Sequence, residues 1–150
     1  PQYIVDGNEN VLGECKKLLA MPTNLHVHQV ASFVIDLGGI IYPAHIDRKS
    51  NSLLRVLGFM PTNLPLDAVE IAQPFEEASK NIGMLKNSKY SIMRSSDAHM
   101  IEQLGTKSTW CYMEAPTYDE LSKAIKRVDG RRTSLVQEDK SIKTKVERQK

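Results

Sequence analysis

Short apolar segments that alternate with helix-like segments are the feature of this sequence that most constrains its fold. Four of them are rich in aliphatic, aromatic or β-branched residues and cover residues 39–43, 67–71, 90–93 and 109–113. Short, continuously apolar segments are typical of strands buried on both faces of a parallel sheet. The alternation therefore predicts an α/β fold with a mainly parallel sheet.

Helical periodicity and capping residues predict helices between these strands. Three of the predicted helices have candidate N-caps, which are Thr23 or Asn24, Ser50 or Ser52, and Thr117 with its capping box to Glu120. The predicted helices cover residues 14–20, 24–37, 52–57, 74–82, 100–104 and 117–128.

Composition restricts the class of protein. With 41% hydrophobic and 25% charged residues, the 150-residue chain has the composition of one globular unit with a real core. It has neither a long apolar window nor a secretion signal, which predicts a cytoplasmic protein without a membrane partner. Cys15 and Cys111 lie far apart and outside any C-x-x-C pattern, so we expect reduced, buried thiols.

The charge is unevenly distributed along the chain. Residues 131–150 hold seven Lys or Arg and three acids, a charge of +4, whereas the whole chain carries +2. We expect a globular part over residues 1–132 and a flexible, polar, basic tail over 133–150. Such a tail is weak support for a nucleic acid partner.

Polar residues that include histidine follow two of the apolar segments directly. His45 follows the first segment, and Asp97 and His99 follow the third. Because the carboxyl ends of parallel strands meet at one edge, these side chains are expected to converge there. Carboxylate and imidazole together suit zinc, manganese or iron. The alternative for each residue is structural: a buried His45, an Asp97 helix cap and a surface His99.

Three motifs make the sequence similar to the PHP family of metal-dependent phosphoesterases. YPAHIDR at residues 42–48 resembles the third motif of that family, and RSSDAH at 94–99 resembles the fourth. The segment DAVEI at 67–71 also fits, and the resemblance extends over roughly residues 3–132. It implies a distorted (β/α)7 barrel, present here in part, that holds two or three divalent ions and hydrolyses phosphoesters.

By this resemblance His45, Asp97 and His99 are metal ligands, and Asp97 and His99 are catalytic. Arg48 is close enough to His45 to bind a substrate phosphate, although a surface ion pair explains it equally well. Asp47 and Glu70 fit either a role in orienting the ligand imidazoles or a structural role at the edge of the core.

The first motif of the family, a His-x-His at the end of the opening strand, and the second motif have no counterpart here. Residues 24–28, NLHVH, imitate the first motif, but no apolar strand precedes them and helical periodicity follows. We therefore expect His26 and His28 to lie in the first turn of a helix and to bind no metal. Residues upstream of this sequence would have to complete the site.

The prediction is a phosphoesterase that acts by metal-bound hydroxide on a phosphomonoester or phosphodiester. Its expected substrate is a phosphorylated small molecule or nucleotide, and the chain alone is expected to be inactive. A non-catalytic binding or regulatory module and a nucleic-acid-processing nuclease of the same family remain as alternatives.

Overall fold

The computed structural model describes residues 2–19 and 21–136. These residues form four α-helices and six short strands in the order ββααβαββαβ, and 3₁₀ turns cover Gly83–Asn87 and Ile101–Gln103. The strands are β1 Tyr3–Val5, β2 Val11–Glu14, β3 Ala68–Glu70, β4 Ser91–Met93, β5 Trp110–Tyr112 and β6 Arg132–Ser134. The helices are α1 Val27–Asp36, α2 Leu53–Leu57, α3 Phe75–Asn81 and α4 Tyr118–Lys126.

The strands in the described part of the chain form three separate two-stranded sheets, so the prediction of a mainly parallel sheet is wrong. Only β3 and β4 pair in parallel, whereas β1–β2 and β5–β6 are antiparallel within the described residues. The described part of the chain contains neither an extended parallel sheet nor the partial (β/α)7 barrel that the family resemblance implied.

The predicted strand at residues 39–43 shows why the parallel sheet stays small. The carbonyl groups of Ile41 and Pro43 accept hydrogen bonds from the backbone N–H groups of Asp67 and Glu70. The N–H of Ile41, however, donates to the Asp67 side chain at 3.2 Å, and Pro43 has no N–H to donate. The segment thus runs beside β3 without forming a regular ladder.

The predicted helix at residues 14–20 is also wrong over its described residues. The backbone N–H of Cys15 donates to the carbonyl of Gln2 at 2.8 Å, which continues the β1–β2 hairpin. The Gln2 side chain then bonds the carbonyl of Lys17 and the N–H of Leu19. These contacts keep the segment beside the hairpin and satisfy backbone groups that a helix would use internally.

Capping residues predicted the ends of helices better than apolar segments predicted the sheet. The Ser52 hydroxyl accepts from the N–H of Arg55 and starts α2, and Gly58 ends it at φ 78°. Thr117 caps α4 as predicted, accepting from the N–H of Glu120. Helix α1 begins later than predicted, because His26 is its N-cap and exchanges capping-box hydrogen bonds with Gln29.

The core lies around β3, whose three residues are all buried. Its centre is a cluster of buried side chains contributed by β3, α3 and the adjacent segments: Ile46, Val69, Ile71, Ala78, Leu85 and Tyr90. Burying one such large aliphatic side chain stabilises a fold by about 1.5–3 kcal/mol. The chain segments that lead into the histidine-containing loops are therefore fixed by the best-packed part of the molecule.

The predicted boundary at residue 132 falls within β6, which pairs with β5. Most of the predicted tail, residues 137–150, lies outside the described residues. No helix in the described part of the chain is long and apolar enough to cross a membrane.

A buried carboxylate joins α4 to the end of β5 and the start of β6. The Glu120 side chain accepts from Arg131 Nε at 2.8 Å, from Lys123 Nζ at 3.0 Å and from the Glu114 N–H at 3.0 Å. These hydrogen bonds, that of Arg131 foremost, lower the pKa of Glu120 from 4.5 to about 2. The charged carboxylate is thus stabilised by folding.

We predict that Glu120→Gln lowers stability at neutral pH and removes part of the acid sensitivity of the fold. The pKa of Glu120 is lower in the folded chain than in the unfolded chain, so its stabilisation is complete above pH 4.5 and is lost as the pH falls towards about 2. Urea unfolding across that pH range measures the loss. The exposed Glu102, changed to Gln, is the matched control, and equal pH dependence of the Glu120→Gln variant and the parent would contradict the assignment.

Candidate functional site

His45 lies in the loop that follows residues 41–43, next to the carboxyl end of β3. Its backbone is left-handed, with φ 30°, and its N–H donates to Glu70 Oε2 at 3.1 Å. The next residue, Ile46, is buried and donates its N–H to the Glu70 carbonyl at 2.8 Å. His45 Nδ1 is buried and has no hydrogen-bond partner.

Asp97 lies in the loop that follows β4, the parallel neighbour of β3. The Ser95 hydroxyl donates to Glu70 Oε1, and the Ser96 hydroxyl donates to the Lys107 carbonyl at 3.1 Å. Asp97 itself is left-handed, with φ 52°. The Glu70 carboxylate thus contacts both loops, one through His45 and the other through Ser95.

Arg48 and Asp97 form an ion pair between the two loops. Arg48 Nη2 lies 2.7 Å from Asp97 Oδ2, and the side chains are 40% and 35% exposed. The hydrogen bond from Arg48 is the main cause of the lowered pKa of Asp97, and the charges of Arg48, His99 and His45 add to it.

His99 is exposed and turned towards its own loop. Its Nδ1 lies 2.9 Å from the Asp97 carbonyl oxygen, and its backbone N–H donates to Gln103 Oε1 at 2.7 Å. Since Nδ1 contacts the backbone, Nε2 is the nitrogen that is left to face a ligand.

The predicted site is brought together in part. Arg48 contacts the Asp97 carboxylate and His99 contacts the Asp97 carbonyl, but within residues 2–19 and 21–136 no three His, Cys, Asp or Glu side chains converge to hold a metal ion. Carboxylate and imidazole are side chains that bind divalent cations, and the buried His45 Nδ1, which has no hydrogen-bond partner, is an atom that could bind one. These side chains do not surround a common point, and metal binding by His45, Asp97 and His99 stays a prediction.

Asp47 and Glu70 both accept hydrogen bonds from backbone N–H groups. Asp47 Oδ1 and Oδ2 accept from Ala72 and Gln73 at 2.7 and 2.8 Å, which holds the loop after β3. These contacts are those of residues with a structural role at the edge of the core, rather than of residues that orient the ligand imidazoles. The sequence analysis did not predict that Glu70 joins the two loops. The feature that could have indicated this is a single acidic residue at the end of a buried strand.

The prediction that His26 and His28 lie in the first turn of a helix is confirmed for His28 but not for His26. His28 is in the first turn of α1, and His26 is the N-cap residue immediately before it. Their rings stack with centroids 5.2 Å apart, and His28 Nε2 lies 3.0 Å from Asn63 Oδ1. The absence of metal at this pair stays a prediction.

A cavity of about 490 Å³ lies between α1, α2 and the segment before His45. Its lining is mostly apolar and includes Ala31, Leu57 and Leu64, with Asn51 and Ser52 among the few polar residues. A phosphate group needs cations or N–H donors around it, so this cavity is a poor phosphate site.

Two solved nuclease structures are similar to the chain. The lesion-specific endonuclease PfuEndoQ from Pyrococcus furiosus has a TM-score of 0.61 and 25% sequence identity, over 73% of this chain and 28% of that one. An endonuclease Q in complex with a 27-mer duplex substrate, with an abasic lesion at the active site, has a TM-score of 0.54 and 24% identity, over 73% and 29% of the two chains. The second likeness is one of fold alone.

The chain spans less than a third of the length of either endonuclease. No family model matches its sequence, and no curated protein matches it. Both structural neighbours are endonucleases.

We predict that Asp47→Ala destabilises the chain by about 1–3 kcal/mol, because two partly buried N–H groups lose a charged acceptor. Asp47→Asn keeps one acceptor oxygen and should cost less. Urea unfolding measures both variants. An unchanged stability of Asp47→Ala would show that water replaces the carboxylate and that Asp47 does not hold the loop.

Proposed function

We propose that this chain is part of a metal-dependent phosphoesterase that cuts phosphodiester bonds in nucleic acid. The observation that carries the proposal is the meeting of Arg48 and Asp97 at 2.7 Å, between loops that also carry His45 and His99. The likeness to the Pyrococcus furiosus endonuclease at 25% identity supports the reaction class.

In this proposal His45, Asp97 and His99 are metal ligands, and Asp97 and His99 take part in catalysis. Zinc, manganese or iron would supply an activated water and neutralise charge on the phosphoryl oxygens. The chain's own residues would position the substrate: Arg48 would bind a non-bridging phosphate oxygen, and Glu70 would keep the two loops at a fixed separation.

Nucleic acid is the favoured substrate for two reasons. The structural neighbours are endonucleases, one of them in complex with a DNA duplex substrate. In addition, Arg48 and Lys49 are adjacent cationic residues in the loop that carries His45. Cationic side chains beside a phosphodiester contribute affinity that falls with salt concentration. The phosphorylated small molecule expected from the motifs has no comparable support.

The open arrangement of the site favours a second candidate. Because no three ligand-type side chains converge in the described residues, the chain also fits a non-catalytic module with a PHP-like sequence. A catalytic ion needs about three protein ligands and an open position for water. Further residues of the parent protein would have to provide the missing ligands for the enzyme.

We predict that the longest protein encoded by the gene cleaves a DNA duplex that contains an abasic site, in the presence of Mn²⁺ or Zn²⁺. Asp97→Asn should reduce the rate by at least about 100-fold, because a neutral amide binds a divalent cation poorly. Even substitution of a residue that only hydrogen-bonds a metal ligand can reduce activity by up to about 100-fold. The fold should change little, because Asn has nearly the volume of Asp. Gel analysis of cleavage and circular dichroism of the variant measure the two effects.

Asp119→Asn is the matched control, because Asp119 is exposed on α4 and should leave the rate unchanged. Cleavage of an aryl phosphate without cleavage of DNA would show that the substrate is a small phosphorylated molecule rather than nucleic acid. Wild-type rates in the Asp97→Asn variant would place the site elsewhere. Absence of hydrolysis on either substrate by the longest protein would favour the non-catalytic module.

A further inference from the structure

We propose that residues 100–104, which form an apolar turn directly after His99, insert into the base stack of a double-stranded nucleic acid beside the bond that is cut. The inference rests on the proposed function, because it names the part of the substrate that lies next to His99. The apolar turn would open the duplex, so that the phosphodiester reaches the loops of Arg48 and Asp97.

The aliphatic side chains of the apolar turn are exposed. Met100, Ile101 and Leu104 are 62%, 81% and 69% exposed, and the 3₁₀ turn Ile101–Gln103 contains no buried residue. Single exposed apolar side chains are common on protein surfaces. Three of them on one short turn, none of them part of the core, are more typical of a contact surface.

Hydrogen bonds hold the backbone of the apolar turn in place. The Ser96 hydroxyl donates to the Lys107 carbonyl at 3.1 Å, which ties the two ends of the loop together. Within the loop, the His99 N–H donates to Gln103 Oε1 at 2.7 Å, and the Thr106 hydroxyl donates to the Gln103 carbonyl at 2.8 Å. A turn that is ordered before it binds loses little conformational entropy on binding.

The apolar turn is continuous with the candidate site. Met100 follows His99 directly, and the Gln103 side chain holds the backbone of His99. A polymer that binds between the loops of Arg48 and Asp97 is therefore within reach of the turn. In the proposed function this polymer is nucleic acid, and its stacked bases are its apolar part. Ile, Leu and Met are among the side chains that proteins insert between base steps.

Charge favours contact of the apolar turn with bases over contact with phosphates. Its one charged residue is the exposed Glu102, and an acid is repelled by the phosphate backbone. Arg48 and Lys49, in the loop that carries His45, are the cations beside the site that suit phosphate. One loop would thus bind the backbone of the duplex, and the other would enter its base stack.

Insertion has a consequence that depends on the form of the substrate. Separating two stacked bases costs free energy, and the inserted side chains offset this cost by filling the gap. A strand without a complement is already open and needs no such help. The apolar turn should therefore matter for cleavage of a duplex and not for cleavage of a single strand.

The test uses the longest protein encoded by the gene and two forms of one DNA strand that contains an abasic site. One form is paired with its complement and carries 2-aminopurine beside the abasic site, a base that fluoresces more when it is unstacked. Ile101→Ala combined with Leu104→Ala should slow cleavage of the duplex at least about tenfold and abolish the rise in fluorescence on binding. The same variant should slow cleavage of the single strand less than about twofold.

Two further variants are matched controls in the same turn. Glu102→Gln removes the charge and keeps the apolar side chains, so both cleavage rates and the fluorescence should stay unchanged. Ile101→Met keeps an apolar side chain of similar size and should retain the duplex rate. Urea unfolding checks the stability of each variant.

The proposal is overturned if the double variant cuts the duplex as fast as the parent protein. It is also overturned if both substrates are cut more slowly by the same factor, since the turn would then only position His99. A double variant that is less stable in urea but gives the same rise in fluorescence would show that the turn packs against another part of the parent protein, which also overturns the proposal.

The fluorescence separates this inference from the proposed function. If the parent protein cuts neither form, the proposed function fails, and if it cuts only the duplex, the comparison of rates is lost. In both cases the fluorescence decides. A rise on binding that requires Ile101 and Leu104 supports insertion, and a duplex that stays stacked in the presence of the parent protein overturns it.

Discussion

The carboxylate of Glu70 is the contact on which the candidate site depends. Glu70 ends β3, a fully buried strand, and its side chain accepts from the His45 N–H and the Ser95 hydroxyl. Its backbone carbonyl accepts from the Ile46 N–H. A buried carboxylate is costly unless its oxygens are paired, so both loops are held to the same strand end. Without this contact, the loop of Arg48 and the loop of Asp97 would be joined mainly by their exposed ion pair.

The two loops also share an uncommon backbone conformation. His45 and Asp97 have φ values of 30° and 52°, in the left-handed region that non-glycine residues occupy at a cost of about 1–3 kcal/mol in strained cases. Such conformations persist where surrounding contacts determine them. Glu70 supplies that contact for His45, and Ser95 and Ser96 supply it for the loop of Asp97. The side chains with the chemistry of the site are thus directed by backbone geometry as well as by packing.

Local signals in the sequence predicted more of this molecule than long-range pairing did. Ser52 and Thr117 cap the helices for which their side chains were predicted as caps, because a cap depends on residues only a few positions away. The strand at 39–43 and the barrel failed because strand pairing depends on distant partners, and the Asp67 side chain and Pro43 interrupt the ladder. The positions of His45 and Asp97 after apolar segments predicted that both lie at one edge of the sheet. The contact between Arg48 and Asp97 could not be predicted, because it depends on how the two loops lie in three dimensions.

The most direct test of one site shared by the two loops is anomalous scattering from a Mn²⁺-soaked crystal of the longest protein that the gene encodes. The account predicts an anomalous peak bonded to an Asp97 carboxylate oxygen and to a nitrogen of His45 or His99. A peak bonded to His26 or His28 instead, or bound ions that all lie away from Asp97, would contradict it.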